Sequence, residues 1–271
     1  MTPRLAIVIV NFNGGAHLER CLRSLHDHPP ATKAEIVVVD NASTDGSADG
    51  VSRWPDVRLL RLPQNVGFSA GNNAGIRETR TELLLLLNND TVVPRGAIDR
   101  LVERLDADPA AAIVGPRLVD AAGRTERSFG PMISPLGELR QKLITRLHDR
   151  GFRPMSAWVE RSARRERYVD WVSGACLLAR RFVADKVGLL DERYFLYTED
   201  VDFCASVRAA GWKVLFTPAA EVVHLRGRSR ATAASASARA YRRSQLAFYE
   251  KHHPRWAPVL RAYLRLKRQR H

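Results

Sequence analysis

The residues that can do chemistry in this chain are acids set among amides and aromatic rings. In "LLLLLNNDTVVP", residues 83–94, five leucines run straight into Asn88, Asn89 and Asp90. A carboxylate beside amide oxygens suits Mg²⁺ or Mn²⁺, which take oxygen ligands and usually one or two carboxylates plus substrate phosphate oxygens. A distant histidine would suit the same cation if a diphosphate bridged them. His224, after the apolar "AEVVH", is the candidate, although on its residues alone it reads as structural, as a lone histidine after such a run more often is.

Three other segments carry polar groups in suggestive places. "VVVDNASTDGS" puts Asp40 at a strand end, where it can accept hydrogen bonds from a nucleotide base or ribose, while Ser43 and Asp45 read as caps of the next helix. "NVGFSAGNNAGI", residues 65–76, has Gly67, Gly71 and Gly75 among three asparagines. Such glycines let backbone approach a ligand, and a close helix–strand contact explains them equally well. "YTEDVDF" packs Glu199, Asp200 and Asp202 into four residues beside Tyr194, Phe195 and Tyr197. Thr198 reads as an N-cap and Gly211 as the helix end. Acids in a first turn favour the helix dipole, and one acid against an aromatic wall can serve as a general base.

These groups need a scaffold that brings strand ends together. Short apolar runs at residues 5–10, 35–40, 57–62, 83–87 and 111–115 fit strands covered on both faces. Helical stretches near 15–27, 46–53, 69–79 and 95–107 alternate with them, which indicates an α/β fold on a parallel sheet. In such sheets ligands bind beyond the carboxyl ends of strands, where Asn11, Asp40, Asn65 and 88–90 fall. Residues 131–167 break the pattern, with Pro131, Pro135 and Pro154, many arginines and one helix near 136–149; they read as an insertion or flap. Order returns at residues 171–181, 191–203 and 213–218. Two helices, near 235–252 and 256–269, close the chain.

Composition narrows the function. No apolar run is long enough for a membrane span, and the first residues lack a secretory signal pattern, so a cytoplasmic location is expected. Cys21, Cys176 and Cys204 match no zinc or redox spacing and read as buried hydrophobes. Of the net charge of +14, residues 222–271 carry +12, from 13 Lys/Arg and the single acid Glu250. A nucleic-acid partner is therefore not expected, because the body that bears the motifs is near neutral. The fingerprint G-x-G-x-x-G is missing, which counts against an NAD-linked oxidoreductase.

In this order, "VNFN", "VVDNASTDGS", "NVGFSAGNNAGI", "LLLNNDTVV", "WVSGACLLARR", "FLYTEDVDFC" and His224 resemble the family 2 glycosyltransferases, rhamnosyltransferase-like bacterial branch, over roughly residues 5–230. The resemblance implies a GT-A fold, with one Rossmann-like, mainly parallel sheet flanked by helices and a basic helical C-terminal extension. Residues 1–230 would be catalytic, 1–115 the nucleotide-sugar half and 116–230 the acceptor half, with 231–271 the extension. It implies inversion at the anomeric carbon, a divalent cation (Mg²⁺ or Mn²⁺), a thymidine-diphosphate rhamnose or uridine-diphosphate sugar donor, and a glycan or lipid-linked acceptor in cell-envelope polysaccharide synthesis. It places Asn11, Asp40, Asn65, Gly67, Asn72, Asn73 and Asn89 on the donor, with Arg228 and Ser229 in a loop clasping the diphosphate. It places Asp90 and His224 on the metal, Asp200 as catalytic base, and Trp171, Gly174 and Glu199 on the acceptor side. One departure stands out: the first acid of the family's D-x-D motif is Asn88 here. A non-catalytic sugar-nucleotide binder stays open beside the enzyme, opposed only by Asp90 and Asp200. Finally, Trp256, Val259, Leu260, Tyr263 and Leu264 share one helical face. That face either packs on the body or attaches residues 254–271 peripherally to an anionic membrane surface.

Overall fold

The computed structural model describes residues 2–225 and 234–268. Its first half alternates as the apolar runs require. Strands β1 (Leu5–Asn11), β2 (Ala34–Asp40), β3 (Val57–Arg61) and β4 (Leu83–Leu87) lie parallel in the order β3-β2-β1-β4, with helix α1 (Ala16–Asp27) after β1 and α2 (Phe68–Arg77) after β3. The stretch expected as a helix near 46–53 is only a 3-10 turn, Asp49–Arg53. A short β5 (Thr91–Val92) and α3 (Ala97–Ala107) lead to β6, which runs from Ala111 through to Val119, past the expected end at Gly115.

The leucine run shows why β4 sits centrally. Leu83, Leu85 and Leu87 pack on one face with Leu18, Leu22 and Leu25 of α1 and Leu101 and Leu105 of α3. Leu84 and Leu86 pack on the other face with Ile76 of α2. Period 2 in a strand sends alternate side chains to opposite sides, so a continuous apolar run satisfies two cores at once. The helices match: Leu18, Cys21, Leu22 and Leu25 follow i, i+3, i+4, i+7 and are all buried. All three cysteines are buried and free, as expected. Gly71 and Gly75 belong to this packing too. A Cβ on Gly75 would stand 2.6 Å from Val8 Cγ1, so the two glycines seat α2 closely on the sheet.

The second half completes a mixed sheet. After β7 (Phe129–Gly130) come two helices where one was expected, α4 (Pro135–Asp149) and α5 (Arg153–Ser162), then β8 (Arg167–Val169) and β9 (Trp171–Val172). Pro154 stands in the first turn of α5, where a missing N–H costs nothing, so it starts a helix rather than breaking one. The stretch read as an insertion or flap is thus a packed helix pair. Strand β10 (Cys176–Arg180) runs antiparallel between β4 and β6. Helices α6 (Arg181–Lys186) and α7 (Glu199–Ala209) precede β11 (Lys213–His224), which is parallel to β6 and antiparallel to β5 and β8. Strands β7 and β9 form a separate ribbon.

The C-terminal helices are α8 (Ala234–His252) and α9 (Ala257–Arg268). Phe248, Tyr249 and Ala257 pack with Ile133, Tyr194 and Val201 in a third core. The buried Glu138 carboxylate of α4 accepts from Tyr241, Gln245 and Tyr249 of α8. The extension is therefore bonded into the body as well as appended to it.

Candidate functional site

The ends of β1, β2 and β4 and the start of β10 meet along one rim. Asn11 pairs in register with Asp40, and both are buried. Asn11 Nδ2 donates to Ser43 Oγ at 3.1 Å and Ser47 Oγ at 2.9 Å, while its Oδ1 accepts from Asn89 Nδ2 at 2.9 Å. Asp40 Oδ1 accepts the Ser43 amide at 3.2 Å, and Arg61 lies 3.5 Å from Oδ2. Ser43 and Asp45 do not cap a helix as expected. Ser43 Oγ accepts the Asn13 amide, and Asp45 accepts the Gly15 amide as well as Ser47, tying the loop after β2 to the loop after β1. These loops must meet before a nucleotide could lie across them, which the helical reading of 46–53 obscured.

The Asn-Gly segment is a bracket between the two halves. Asn41 donates to Asn65 Oδ1 at 3.0 Å and accepts the Val66 amide at 2.8 Å. Gly67 has φ +88°, and a Cβ there would fall 2.5 Å from the Phe195 carbonyl. The Phe68 amide donates to that same carbonyl at 2.7 Å, and Ser69 Oγ donates to the Tyr194 carbonyl. Asn72 donates to the Phe68 carbonyl. Asn73, expected on the donor, is instead buried against the loop before α7, donating to Leu190 O and Glu192 and accepting from the Leu190 amide. Its amide is fully engaged in holding that loop, which answers the packing alternative for this segment.

That loop aims the acids. Tyr197 and Thr198 have φ of +72° and +66°, a left-handed conformation that costs energy for side-chain-bearing residues and clusters at functional sites. Thr198 occupies the N-cap position without capping; its hydroxyl donates to the Tyr197 carbonyl. The three acids then part ways. Asp202 is buried in an ion-pair cluster with Lys251 Nζ at 2.8 Å, His252 Nε2 at 2.6 Å and the Tyr194 hydroxyl at 3.1 Å, so it anchors α8. Glu199 is buried beside it in sequence, and its Oε2 has no hydrogen-bond partner. Burial, then the Asp200 charge, pushes its carboxyl well above the ordinary range. Asp200 keeps partial exposure. Its Oδ2 accepts the Gly174 amide at 2.9 Å and its Oδ1 the Val201 amide at 2.8 Å. Burial raises its pKa against those two hydrogen bonds. Trp171 lies three residues before Gly174, its indole donating to the Pro131 carbonyl.

The fourth group lies where β11 meets β5. The Leu225 amide donates to the Asp90 carbonyl at 2.8 Å, and His224 Nε2 stands 3.3 Å from Asp90 Oδ1. His224 Nδ1 is 3.0 Å from Glu126 Oε2, a residue for which the sequence offers no signal because only the turn between β6 and β7 delivers it. Burial disfavours the imidazolium, but Asp90 and Glu126 outweigh it and raise the pKa to about 9. Asn88 Oδ1 is buried without a hydrogen-bond partner at the end of the leucine strand. A buried acceptor oxygen, a carboxylate and an imidazole with its far nitrogen on a second carboxylate form a donor set that fits a divalent cation. Among the described residues no three His, Cys, Asp or Glu side chains are grouped as a self-sufficient metal cage. A cation here would need ligands from a substrate. Arg228 and Ser229, expected on the diphosphate, lie outside the described residues.

Residues 6–188 match the family described as Glycosyl transferase family 2. The chain is 33% identical, over 94% of its length and 87% of the relative's, to the N-acetylglucosaminyl-diphospho-decaprenol L-rhamnosyltransferase of Mycobacterium tuberculosis strain H37Rv. It is 28% identical, over 77% of its length and 62% of the relative's, to the low-salt glycan biosynthesis hexosyltransferase Agl10 of Haloferax volcanii. In fold it is similar to the mannosyltransferase PcManGT of Pyrobaculum calidifontis in complex with GDP-Man and Mn²⁺, with TM-score 0.62, 19% identity and coverage of 97% of this chain and 69% of that one. GalNAc-T7 with UDP, GalNAc and Mn²⁺ gives the same score at 17% identity, over 83% of this chain and 44% of that one. The GT-A architecture is thereby established. With the family match running through Asn11, Asp40, Asp90 and Gly174 of the rim just described, this chain belongs to glycosyl transferase family 2.

Proposed function

We propose that this glycosyltransferase moves rhamnose, with inversion, from a thymidine-diphosphate donor to a hydroxyl of a lipid-linked sugar acceptor used in cell-envelope glycan synthesis. The carrying observation is a partly exposed carboxylate, Asp200, held by the Gly174 amide at the rim shared with Asn11, Asp40 and Asp90. Direct displacement needs one base and no covalent nucleophile. The acceptor O–H attacks the anomeric carbon, the bond to the diphosphate oxygen breaks with its electron pair, and the proton passes to Asp200. A raised pKa suits that role, because a base loses driving force when it is too weak. Asp40 would accept from the nucleoside, Asn65 and Gly67 would shape the donor side, and Trp171 and Glu199 would face the acceptor. Support for the sugar and the lipid carrier is the name of the 33% identical relative.

Asp90, His224 and the Asn88 amide oxygen would hold Mg²⁺ or Mn²⁺ together with the donor. The cation's chemistry is to neutralise charge on the departing diphosphate. Glu126 would fix the His224 ring so that Nε2 faces Asp90.

The test is a panel of sugar nucleotides scored for diphosphate release, with and without Mg²⁺ or Mn²⁺. Thymidine-diphosphate rhamnose should lead the panel, and release should fall in chelator. Equal hydrolysis of every donor would remove the rhamnose assignment. No binding of any nucleotide would remove the whole reading.

A further inference from the structure

Between the α4–α5 pair and the β7–β9 ribbon lies an open pocket of about 370 Å³. Phe129, Ile144, Trp158 and Val159 give it apolar walls, and Arg127, Arg140 and Arg167 enter it. Arg127 is partly buried, and its nearest hydrogen-bond acceptor is the Gln141 carbonyl at 3.5 Å. Burial and the nearby Arg140 charge both work against its proton. Among the described residues no carboxylate pairs with Arg127, Arg140 or Arg167. The two acids of the lining are committed elsewhere. Glu126 faces His224, and Asp170 pairs with Arg208 at 2.7 Å while accepting the Met132 amide. Arg167 lies over the Phe129 ring, 5.2 Å from its centroid.

Apolar walls under clustered guanidinia suit an amphiphile with a compact, multiply charged anionic head, since guanidinium donors match phosphate oxygens bidentately. The position also fits. Asp170 lines the pocket and Gly174, which holds Asp200, is four residues further along the chain, so these two backbone positions are at most about 14 Å apart. One sugar ring and a diphosphate span a gap of that order.

We propose that this pocket seats the isoprenoid-diphosphate end of the acceptor, Arg127 and Arg140 binding the diphosphate and Trp158 and Ile144 the first isoprene units. The assignment rests on the glycosyl-transfer reading above and adds where the acceptor's carrier sits. Calorimetry of the full chain with farnesyl diphosphate, below its micelle concentration and with thymidine diphosphate saturating, tests it. Expected is one-to-one binding, at least tenfold weaker for farnesol and for inorganic diphosphate, and at least tenfold weaker in Arg127→Gln and in Arg140→Gln. Arg140 is exposed, so its variant keeps the test valid if Arg127→Gln fails to fold. Wild-type affinity in folded variants overturns the proposal. So does inorganic diphosphate binding as tightly as farnesyl diphosphate, which marks a bare anion site. So does Arg140→Gln weakening phosphatidylglycerol-vesicle binding but leaving farnesyl diphosphate unaffected, which marks a headgroup site. Thymidine diphosphate failing to bind, while farnesyl diphosphate behaves as expected, would sink the donor reading and leave the pocket standing.

Discussion

At the residue scale, three neighbouring acids take three fates. Asp200 has the geometry of the base, so Asp200→Asn should keep nucleotide binding and lower turnover by roughly 10²-fold or more. Because burial raises its pKa and the base must be deprotonated, wild-type kcat should fall as pH drops through a value above that of an ordinary aspartate. A kcat–pH profile without such a limb, or near-normal turnover in Asp200→Asn, would move the role elsewhere. Glu199 makes a separate, thermodynamic prediction. Its folded carboxyl holds a proton that the unfolded chain releases near the ordinary value of 4.5. The native state therefore binds more protons, and stability declines as pH rises from that value through the raised one. Glu199→Gln should flatten that decline, read as Tm against pH. An unchanged slope would show that Glu199 is ionised in the folded protein.

At the element scale, the positioning of α7 depends on glycine. Gly67 combines a positive φ with a carbonyl 2.5 Å from where a Cβ would stand. Gly67→Ala should cost about 1–3 kcal/mol in urea unfolding, since overpacking and left-handed strain add. It should also lower turnover, because the same carbonyl tethers the loop that precedes Asp200. Gly50, with no atom within 4 Å of its virtual Cβ, is the control and should tolerate alanine. Equal stability losses at both positions would show that the bracket between α2 and the 191–198 loop does no positioning.

At the scale of the whole molecule, the final helix shows two faces. Ala257 and Leu260 pack inward on the third core. Trp256, Val259, Tyr263 and Leu266 are exposed at spacings of three and four, beside the exposed Arg255, Arg261 and Arg265. The helical face expected from the sequence is thus divided, part packing and part open. No helix among the described residues is long and apolar enough to cross a membrane. The exposed stripe with its arginines suits the headgroup region of an anionic bilayer, and this supports peripheral attachment. A chain ending at His253 keeps the Lys251 and His252 bonds to Asp202 and the His253 bond to the Ile133 carbonyl, so it should fold. It should lose most co-sedimentation with anionic vesicles, and full-length binding should weaken with salt. Unchanged binding after truncation would make α9 a packing element only.

Local pattern alone determined β1 to β4, α1, α2 and α3, the strand-end location of Asn11, Asp40 and Asp90, and the acidic start of α7, but not the 3-10 turn at Asp49–Arg53 or the full length of β6. Period-2 and period-3.6 burial are written residue by residue, and strand ends in such sheets converge by topology. The tertiary structure decided the roles of groups whose partners are remote in sequence. Asp202 looked like its neighbours until α8 brought Lys251 and His252 to it across some fifty residues. Asn73 looked like a ligand-binding amide until the 188–192 loop occupied every hydrogen bond it makes. Glu126 carried no pattern at all, because its meaning depends on a histidine 98 residues away that β11 lays beside it. A side chain's function follows from the dielectric and partners around it, and those come from contacts that no local window of sequence contains.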